Sequence, residues 1–257
     1  MTNKRQVRPH VKKIVNAKLA TRVQQSLHEM LLDETTLENR KLPPEAELAE
    51  MLGVSRTVVR DVLSDLEREG YITRKRKAGT IINRHVLDVK IRVDQERDFK
   101  EFIRAAGMEP QDRYLGSTVE TVSRELQEKF GEDQPLDALM VDKLFLADGK
   151  PVVFCRDILP VHYIRREYRE EDLHVAIFEF AKNFCDMEME IDLTTIDADV
   201  MDEKIAAVFE AKPGDPVLKL FTMAYRGETP VLWSEQFHLP GALPLTILRK
   251  KIWSYEK

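Results

Sequence analysis

Two helical patterns joined by Gly53-Val54, within residues 45–69, limit the fold of this chain more than any other feature of the sequence. Residues 45–52 place leucine and alanine on one face, and Gly53 interrupts the helix. Ser55 is a good N-cap for the next helix, which runs to about residue 69. An earlier pattern over 15–32 also repeats its apolar residues at helical spacing. We therefore predict three helices around one small core, with a tight turn between the second and the third.

A basic hairpin is predicted directly after these helices. Residues 71–74 and 80–82 are strand-like, and residues 75–79 form a basic turn between them. Two helices joined by a tight turn and followed by a hairpin make a winged helix-turn-helix. In that fold the second helix enters the major groove of DNA with its N-terminus first, so its first turn carries the side chains that reach base edges.

The first turn of that second helix has side chains suited to DNA contact. Arg56 and Arg60 are four residues apart and share a face, and arginine can bind guanine with two hydrogen bonds. Thr57 can reach a base or a phosphate, and a helix N-terminus favours a nearby phosphate. The hairpin would lie along the DNA backbone or enter the minor groove, where Gly79 allows a close approach. The alternative is a three-helix module that uses the same surface for protein contacts.

The distribution of charge favours the DNA-binding interpretation. The formal net charge is −5, but residues 1–85 hold 17 basic and 11 acidic side chains, against 23 and 34 in the rest of the chain. A basic head on an acidic body is typical of a protein whose head alone touches phosphate, although solvated charges also cluster by chance. The basic N-terminus has no apolar core behind it, and no apolar run reaches the roughly 20 residues of a membrane helix. With two cysteines and no CxxC spacing, we expect a protein of the reducing cytoplasm.

Strand-like runs dominate the rest of the chain. Turns expected at residues 148–149 and 226–227 join these strands into hairpins. This pattern indicates an antiparallel α+β domain rather than a domain of alternating βαβ units. Two similar segments, starting at Pro135 and Pro213, each lead a long strand into a hairpin and indicate two halves of like topology. The predicted strands are 114–121, 140–146, 151–159, 193–200, 217–225 and 231–238, and the predicted helices are 99–106, 123–129, 175–183 and 201–209.

Several segments of the first part resemble the GntR family of bacterial regulators: LPPEAELA at 42–49, LGVSRTVVR at 52–60, EGYI at 69–72 and GT at 79–80. The resemblance covers about residues 14–83. It implies that Arg56, Thr57 and Arg60 contact operator DNA and that Gly79 lies at the wing tip. It also implies a homodimer on a short palindrome of double-stranded DNA, often with GT and AC flanking the centre. The predicted DNA contacts are Glu45, Ser55, Arg56, Thr57, Arg60, Arg74, Lys75, Lys77, Gly79 and Thr80.

One position departs from that family's pattern. Many members carry an arginine where this chain has Ala46, and that arginine contacts a base or a phosphate. The absence of this arginine predicts a relaxed or altered operator preference.

The segment from about residue 99 to 253 resembles the UTRA ligand-binding domain of the HutC-type branch, whose fold is chorismate-lyase-like. The resemblance implies a sensor for a small-molecule effector, built on an α+β fold. Its landmarks are LADGKP at 146–151, LP at 159–160, FE at 178–179, TI at 195–196, PGDPVL at 213–218 and TPV at 229–231. The predicted organisation is a winged helix-turn-helix domain over 1–84, a linker over 85–95, and a UTRA domain for effector binding and dimerisation over 96–257.

Polar residues that sugar-phosphate-sensing relatives use are mostly replaced in this chain. Those relatives place hydroxyls just before position 99, arginines at 143 and 145, an acid near 155, and hydroxyls near 191 and 193. Only Lys143 is a clear cation here, with Arg97 as a second. Because a buried phosphate needs several donors, we predict a less anionic effector, a partly apolar or aromatic acid held by Lys143 or Arg97. The alternative is that the apolar residues are core and the ligand binds elsewhere. The predicted effector contacts are Arg97, Asp98, Lys143, Phe145, Cys155, Ile191 and Leu193.

Three functional classes remain to be compared. The first is an effector-gated regulator, a repressor in most members of this branch, in which the ligand changes how the two heads are spaced. The second is an enzyme, but residues 86–257 show no compact acid–base pair, nucleophile or phosphate loop, so we expect no catalysis and no cofactor. The third is a constitutive DNA-binding protein with a vestigial sensor. We expect no metal site, since the spacing of Cys155, Cys185, His162 and His174 matches no ligand pattern, and we expect Trp233 and Trp253 to be packing residues.

Overall fold

The computed structural model describes residues 17–250 of the chain. Val15, predicted near the start of the first helix, and Trp253, predicted to pack, lie outside the described residues. The chain divides into two compact units. Among the described residues, the first comprises 17–89 together with 248–250, and the second is Lys90–Ile247. Sequence reasoning did not anticipate that residues 248–250 belong with the first unit.

The first unit is a helical module with a small three-stranded sheet. The predicted helices and hairpin are confirmed, and the strands are antiparallel in the order β1-β3-β2. The helices are α1 (Ala17–Leu32), α2 (Glu34–Asn39), α3 (Glu45–Leu52), α4 (Arg56–Arg68) and α5 (Arg84–Leu87), and the strands are β1 (Lys41–Leu42), β2 (Ile72–Lys75) and β3 (Gly79–Ile82).

Local sequence signals position α3 and α4. Gly53 ends α3 in the left-handed conformation with a φ of 63°, which costs glycine little. The Ser55 hydroxyl accepts a hydrogen bond from the Val58 backbone N–H at 3.3 Å and so caps α4. Leucines from α1, α3 and α4 are fully buried and fix the helices to one another. The fully buried leucines are Leu27, Leu31, Leu48, Leu63 and Leu66.

Three details of the first unit differ from the predictions. Helix α2 and strand β1 were not foreseen, because both are very short. Pro44 lies one residue before α3, with an extended ψ of 150°, rather than in its first turn. The linker predicted over 85–95 overlaps α5, which begins at Arg84. Val86 and Ile91 are buried, because their apolar side chains pack into the cores of the first and second unit respectively.

The second unit is an antiparallel six-stranded sheet with flanking helices, as the fold class predicted. Its strand order is β4-β5-β6-β9-β8-β7. Two 3₁₀ turns, Val161–Tyr163 and Glu170–His174, precede the helix that packs over one sheet face. The strands are β4 (Pro110–Thr121), β5 (Asp137–Ala147), β6 (Lys150–Pro160), β7 (Ile191–Val200), β8 (Pro216–Arg226) and β9 (Thr229–His238), and the helices are α6 (Phe99–Ala105), α7 (Arg124–Lys129), α8 (Ile177–Cys185) and α9 (Glu203–Phe209).

The sheet order confirms two halves of like topology. Each half runs helix, edge strand, helix and hairpin, and the halves meet where β6 pairs with β9. The first hairpin turns at residues 148–149 as predicted, while the second turns at 227–228, one residue later than predicted. Within residues 17–250, no helix is both long enough and apolar enough to cross a membrane.

Candidate nucleic-acid interface and ligand cavity

The first turn of α4 presents the predicted recognition residues to solvent. Ser55, Arg56, Thr57 and Arg60 are all exposed, while the opposite face of the helix is buried. The Ser55 oxygen is occupied as the helix cap, which leaves its O–H free to donate. The helix therefore shows two arginines and two hydroxyls at the end that would enter a major groove.

Glu45 holds Arg60 in place. Both the Nε and one terminal nitrogen of Arg60 donate to the same Glu45 carboxylate oxygen, at 3.1 Å and 2.8 Å. The hydrogen bond from Arg60 holds the pKa of Glu45 below its usual value, and the charges of Arg60 and Arg74 act in the same direction. As a carboxylate it would repel a phosphate, and its described contacts orient Arg60; the predicted contact of Glu45 with DNA stays a prediction.

Arg74 joins the wing to α4. Its Nε lies 2.7 Å from a Glu67 carboxylate oxygen, its backbone N–H donates to the other oxygen at 2.7 Å, and a terminal nitrogen lies 3.1 Å from the Ser64 hydroxyl. Burial raises the pKa of Glu67, but the hydrogen bonds from Arg74 outweigh it and the pKa is lowered. These contacts fix Arg74 and the hairpin against α4, and the predicted contact of Arg74 with DNA stays a prediction.

The tip of the wing carries the free positive charge. Lys75 and Lys77 are exposed, Gly79 has a φ of 84° with open space around it, and Thr80 is half-buried opposite Leu42 of β1. Arg76 is exposed at the same tip and was not among the predicted contacts, although it belongs to the same basic run. Among residues 17–250, no ion pair involves Arg56 or these three wing cations, so all four charges are available to phosphate.

A cavity of about 470 Å³ lies in the second unit, bounded by the sheet, the start of α6 and the start of α8. Five of the seven predicted effector residues line it: Arg97, Asp98, Lys143, Phe145 and Cys155.

Ile191 and Leu193 do not line the cavity. They are 57% and 60% exposed on β7, while Asp192 between them is a lining residue. Successive side chains of a strand point to opposite faces, so an alignment displaced by one residue selects the outward pair instead of the inward acid.

Lys143 is the buried cation of the cavity. It is 4% exposed, and its ammonium donates to the carbonyl oxygen of Val175, just before α8. Burial lowers the pKa of Lys143, while the nearby Asp157 and Cys155 oppose that shift. A cation beside the N-terminus of α8 makes this end of the cavity the favourable place for an acid group.

A buried polar cluster that sequence reasoning missed lies next to Lys143. The Cys155 Sγ lies 3.4 Å from an Asp157 carboxylate oxygen and 3.3 Å from the Ser234 hydroxyl. Burial raises the pKa of Asp157 and raises that of the Cys155 thiol, so Cys155 is a small polar wall rather than a reactive nucleophile. The alternation of β6 could have revealed Asp157, since residues two apart share a face.

Aromatic and aliphatic side chains form the remaining walls. The Phe99 and Phe145 rings are 4.8 Å apart between centroids, and Phe178, Ala224 and Leu232 also line the cavity. Within the described part of the chain, no group of three His, Cys, Asp or Glu side chains is arranged to hold a metal ion. The cavity thus combines an apolar body with a few charged groups, the usual character of a small-molecule site.

Sequence comparison relates both units to known regulators. Residues 19–82 match the family described as bacterial regulatory proteins, gntR family, and residues 105–242 match the UTRA domain. The HTH-type transcriptional regulator GgaR of Escherichia coli K12 is 27% identical over 123 residues, 48% of this chain and 48% of GgaR. The HTH-type transcriptional repressor NagR of Bacillus subtilis is 23% identical over 184 residues, 72% of this chain and 74% of NagR. The match to GgaR therefore spans about half the length of that relative.

Solved structures share the fold. YydK from Bacillus subtilis superposes with a TM-score of 0.72 at 15% identity, covering 90% of this chain and 99% of YydK. PhnF from Mycobacterium smegmatis superposes with a TM-score of 0.55 at 20% identity, covering 89% of this chain and 99% of PhnF. At these identities the likeness concerns the fold alone.

Proposed function

Because the chain belongs to the GntR family of bacterial regulatory proteins and carries a UTRA domain, we propose that it is a repressor whose affinity for operator DNA is controlled by a small molecule. The observation that carries the proposal is the joint exposure of Arg56, Thr57 and the basic wing on one unit, in a chain whose other unit holds a ligand-sized cavity. The name of its relative NagR, a transcriptional repressor, supports the repressor role.

The DNA contacts we propose divide into base readout and backbone contact. Arg56 and Thr57 would read bases from the first turn of α4, with Arg60 presented beside them by Glu45. Lys75, Arg76 and Lys77 would follow the phosphate backbone, where each cation adds affinity without sequence information. The exposed methyl of Ala46 offers no hydrogen bond, so base preference would come from α4 more than from α3.

The effector we propose is a partly apolar or aromatic acid. Its acid group would lie at Lys143 and the start of α8, or at Arg97 on the rim, and its body would pack against Phe99 and Phe145. A dianionic phosphate would find few donors here, because the remaining polar walls are largely acidic. The ligand can release DNA only by binding two arrangements of the protein unequally.

A homodimer on a short palindrome completes the proposal. Strand β7 is an edge of the sheet with nine of its ten residues exposed, including Ile191, Leu193 and Val200. An unpaired edge strand with exposed apolar side chains is a template for pairing with another strand. A second copy placed on this edge would give the two-fold symmetry that a palindrome requires. The proposed binding of operator DNA and the two free thiols are consistent with a cytoplasmic location of the protein.

The test begins with selection of DNA from a random library by the full-length protein, followed by fluorescence anisotropy on the enriched sequence. A metabolite library is then screened by thermal shift, where a ligand at 100 times its Kd adds about 2.7 kcal/mol of stability. We expect a stabilising compound to weaken operator binding. Failure to enrich any sequence would contradict specific DNA binding, and unchanged affinity with every stabilising compound would favour a constitutive DNA-binding protein. Turnover of a stabilising compound would instead revive the enzyme hypothesis.

A further inference from the structure

Carboxyl groups outnumber cations around the ligand cavity, with seven acidic and four basic side chains in its lining. Two of the acids already have partners, since Asp112 lies 3.4 Å from Lys100 and Glu188 lies 2.9 Å from Lys182. Asp98 caps α6 by accepting from a backbone N–H at 2.7 Å. The acids still to be accounted for are Glu96, Asp157, Glu190 and Asp192.

Lys143 and Arg97 do not neutralise these four remaining carboxylates. Burial raises the pKa of Asp157, and the charge of the nearby Lys143 opposes that shift without reversing it; Asp157 also contacts the Cys155 thiol at 3.4 Å. Arg97 is exposed and donates to the Gln95 side chain at 3.1 Å. Glu190 and Glu96 are both exposed to solvent, but Glu96 lies close enough to Asp192 for the charge of Asp192 to raise its pKa.

Glu96 and Asp192 line the same cavity, and neither takes part in an ion pair within the described part of the chain. One Asp192 carboxylate oxygen is buried and has no hydrogen-bond partner there. Burial, and then the charges of Asp192 and Asp157, raise the pKa of Glu96 to about 7, and burial raises that of Asp192. Glu96 itself is exposed at the rim and Asp192 is half-buried, but the buried oxygen of Asp192 has no counter-charge, so a bound cation beside it would be favourable.

We propose that the effector carries a basic nitrogen, protonated when bound, that lies between the Glu96 and Asp192 carboxylates. This inference rests on the proposed function, because it assumes that the cavity is the effector site. With an acid group at Lys143 and an apolar body against Phe99, the ligand class is an apolar or aromatic amino acid, or a zwitterion of similar size.

The test uses matched sets of compounds on the full-length protein. Each set contains an amino acid, its decarboxylated amine and its deaminated acid, for example phenylalanine, phenethylamine and 3-phenylpropionate, with equivalent sets for tryptophan, leucine and histidine. Thermal shift selects binders and calorimetry measures their Kd. We expect the amine-bearing members of at least one set to bind at least tenfold more tightly than the deaminated acid. Tighter binding of the deaminated acids, or no binding by any amine, would overturn the inference.

Isosteric variants locate the amine site. Asp192→Asn and Glu96→Gln each remove one carboxylate of the pair, and each should weaken an amine-bearing ligand at least tenfold. Glu188→Gln is the matched control, because it neutralises a lining carboxylate that already has a lysine partner. Melting temperatures without ligand show whether each variant is folded. Equal weakening by Glu188→Gln and Asp192→Asn would contradict a defined amine site.

The pH dependence of ligand binding is an independent test of the amine site. Below about pH 7 Glu96 holds a proton that a cation must displace, so an amine should bind about tenfold more weakly at pH 6 than at pH 8. An acid without an amine should show the opposite trend. His238, behind Gln236 at 3.4 Å, has its pKa lowered to about 4 by burial and stays neutral throughout this range.

Measuring whether a bound compound weakens operator binding distinguishes failure of the amine site from failure of the proposed function. An amine that binds with the expected pH trend but leaves DNA affinity unchanged would support the amine site and contradict effector control. A deaminated acid or a sugar phosphate that releases DNA would support effector control and overturn the amine site.

Discussion

Replacing Arg56 by alanine should separate base readout from general attraction to DNA. Arg56 is the first residue of α4, is exposed, and takes part in no ion pair among residues 17–250. Its removal therefore breaks no ion pair within the described residues, removes only the smallest of the charge effects on Glu45, and leaves the Ser55 cap, which uses the Val58 N–H, intact. Any loss of affinity can be assigned to the missing contact with DNA. The same is not true of Arg60, whose removal would also leave Glu45 without its partner.

The expected loss follows from the kind of contact. An arginine that binds guanine with two hydrogen bonds contributes about 1–3 kcal/mol of discrimination, or roughly 5- to 150-fold in Kd. In the proposed homodimer both heads lose the contact, so the change approaches about 2–6 kcal/mol on a palindrome. Lys75→Ala should behave differently. It should weaken all sequences alike and reduce the slope of log K against log salt by about 0.9 for each head.

Fluorescence anisotropy on the selected operator and on a scrambled duplex, at several salt concentrations, measures both effects. Arg56→Ala should lower the ratio of specific to non-specific affinity, while Lys75→Ala should leave that ratio unchanged. Arg124→Ala, in the second unit, removes the same charge from an exposed side chain and serves as the control. Equal weakening of both duplexes by Arg56→Ala would refute the assignment of α4 as the reading helix.

Three further measurements test other parts of the structure. Leu193→Glu on β7 should give a monomer in analytical ultracentrifugation, while Val119→Glu on the opposite edge should not, and a dimer in both would exclude β7 as the interface. Gly79→Ala, in open space, should lower the free energy of unfolding by about 1–2 kcal/mol for its positive φ, and Gly70→Ala by more, because its new Cβ would also meet Leu248. Equal losses would show that the end of the Leu248 side chain moves aside at little cost. Burial raises the pKa of both cysteine thiols, one to about 11, so at pH 8 they should react with a disulfide reagent at least about tenfold more slowly than free cysteine, and fast labelling would show that they are accessible.

The sequence was most informative where one local rule determines the outcome. Gly53 and Ser55 determine where α3 ends and α4 begins, because a left-handed turn favours glycine and a helix N-terminus favours a hydroxyl. Antiparallel hairpins also follow from local patterns, which explains why the strands of the second unit were predicted to within a few residues. Helix α5 was missed because four residues are too few to show a helical period.

Individual contact roles depend on side-chain partners that are distant in sequence. Glu45 and Arg60 are 15 residues apart, and the pattern that made both candidates for DNA contact could not show that one holds the other. Arg74 likewise belongs to the basic run of the wing, yet Glu67 and Ser64 fix it against α4. In each case the charge of the residue was predictable, whereas its partner required the fold.

The cavity shows most clearly how a shift of one residue changes a functional conclusion. A resemblance to phosphate-sensing relatives directs attention to Ile191 and Leu193, and their apolar character predicts an apolar wall. Since neighbouring side chains of a strand face opposite ways, the cavity receives Asp192 instead. The charge of Asp192 also raises the pKa of the nearby Glu96. The carboxylate of Asp192 therefore changes the ligand group expected at this end of the cavity from a hydrocarbon to a cation. In the proposed effector site, ligand preference would therefore depend on which residues of β7 face the cavity as much as on the composition of the strand.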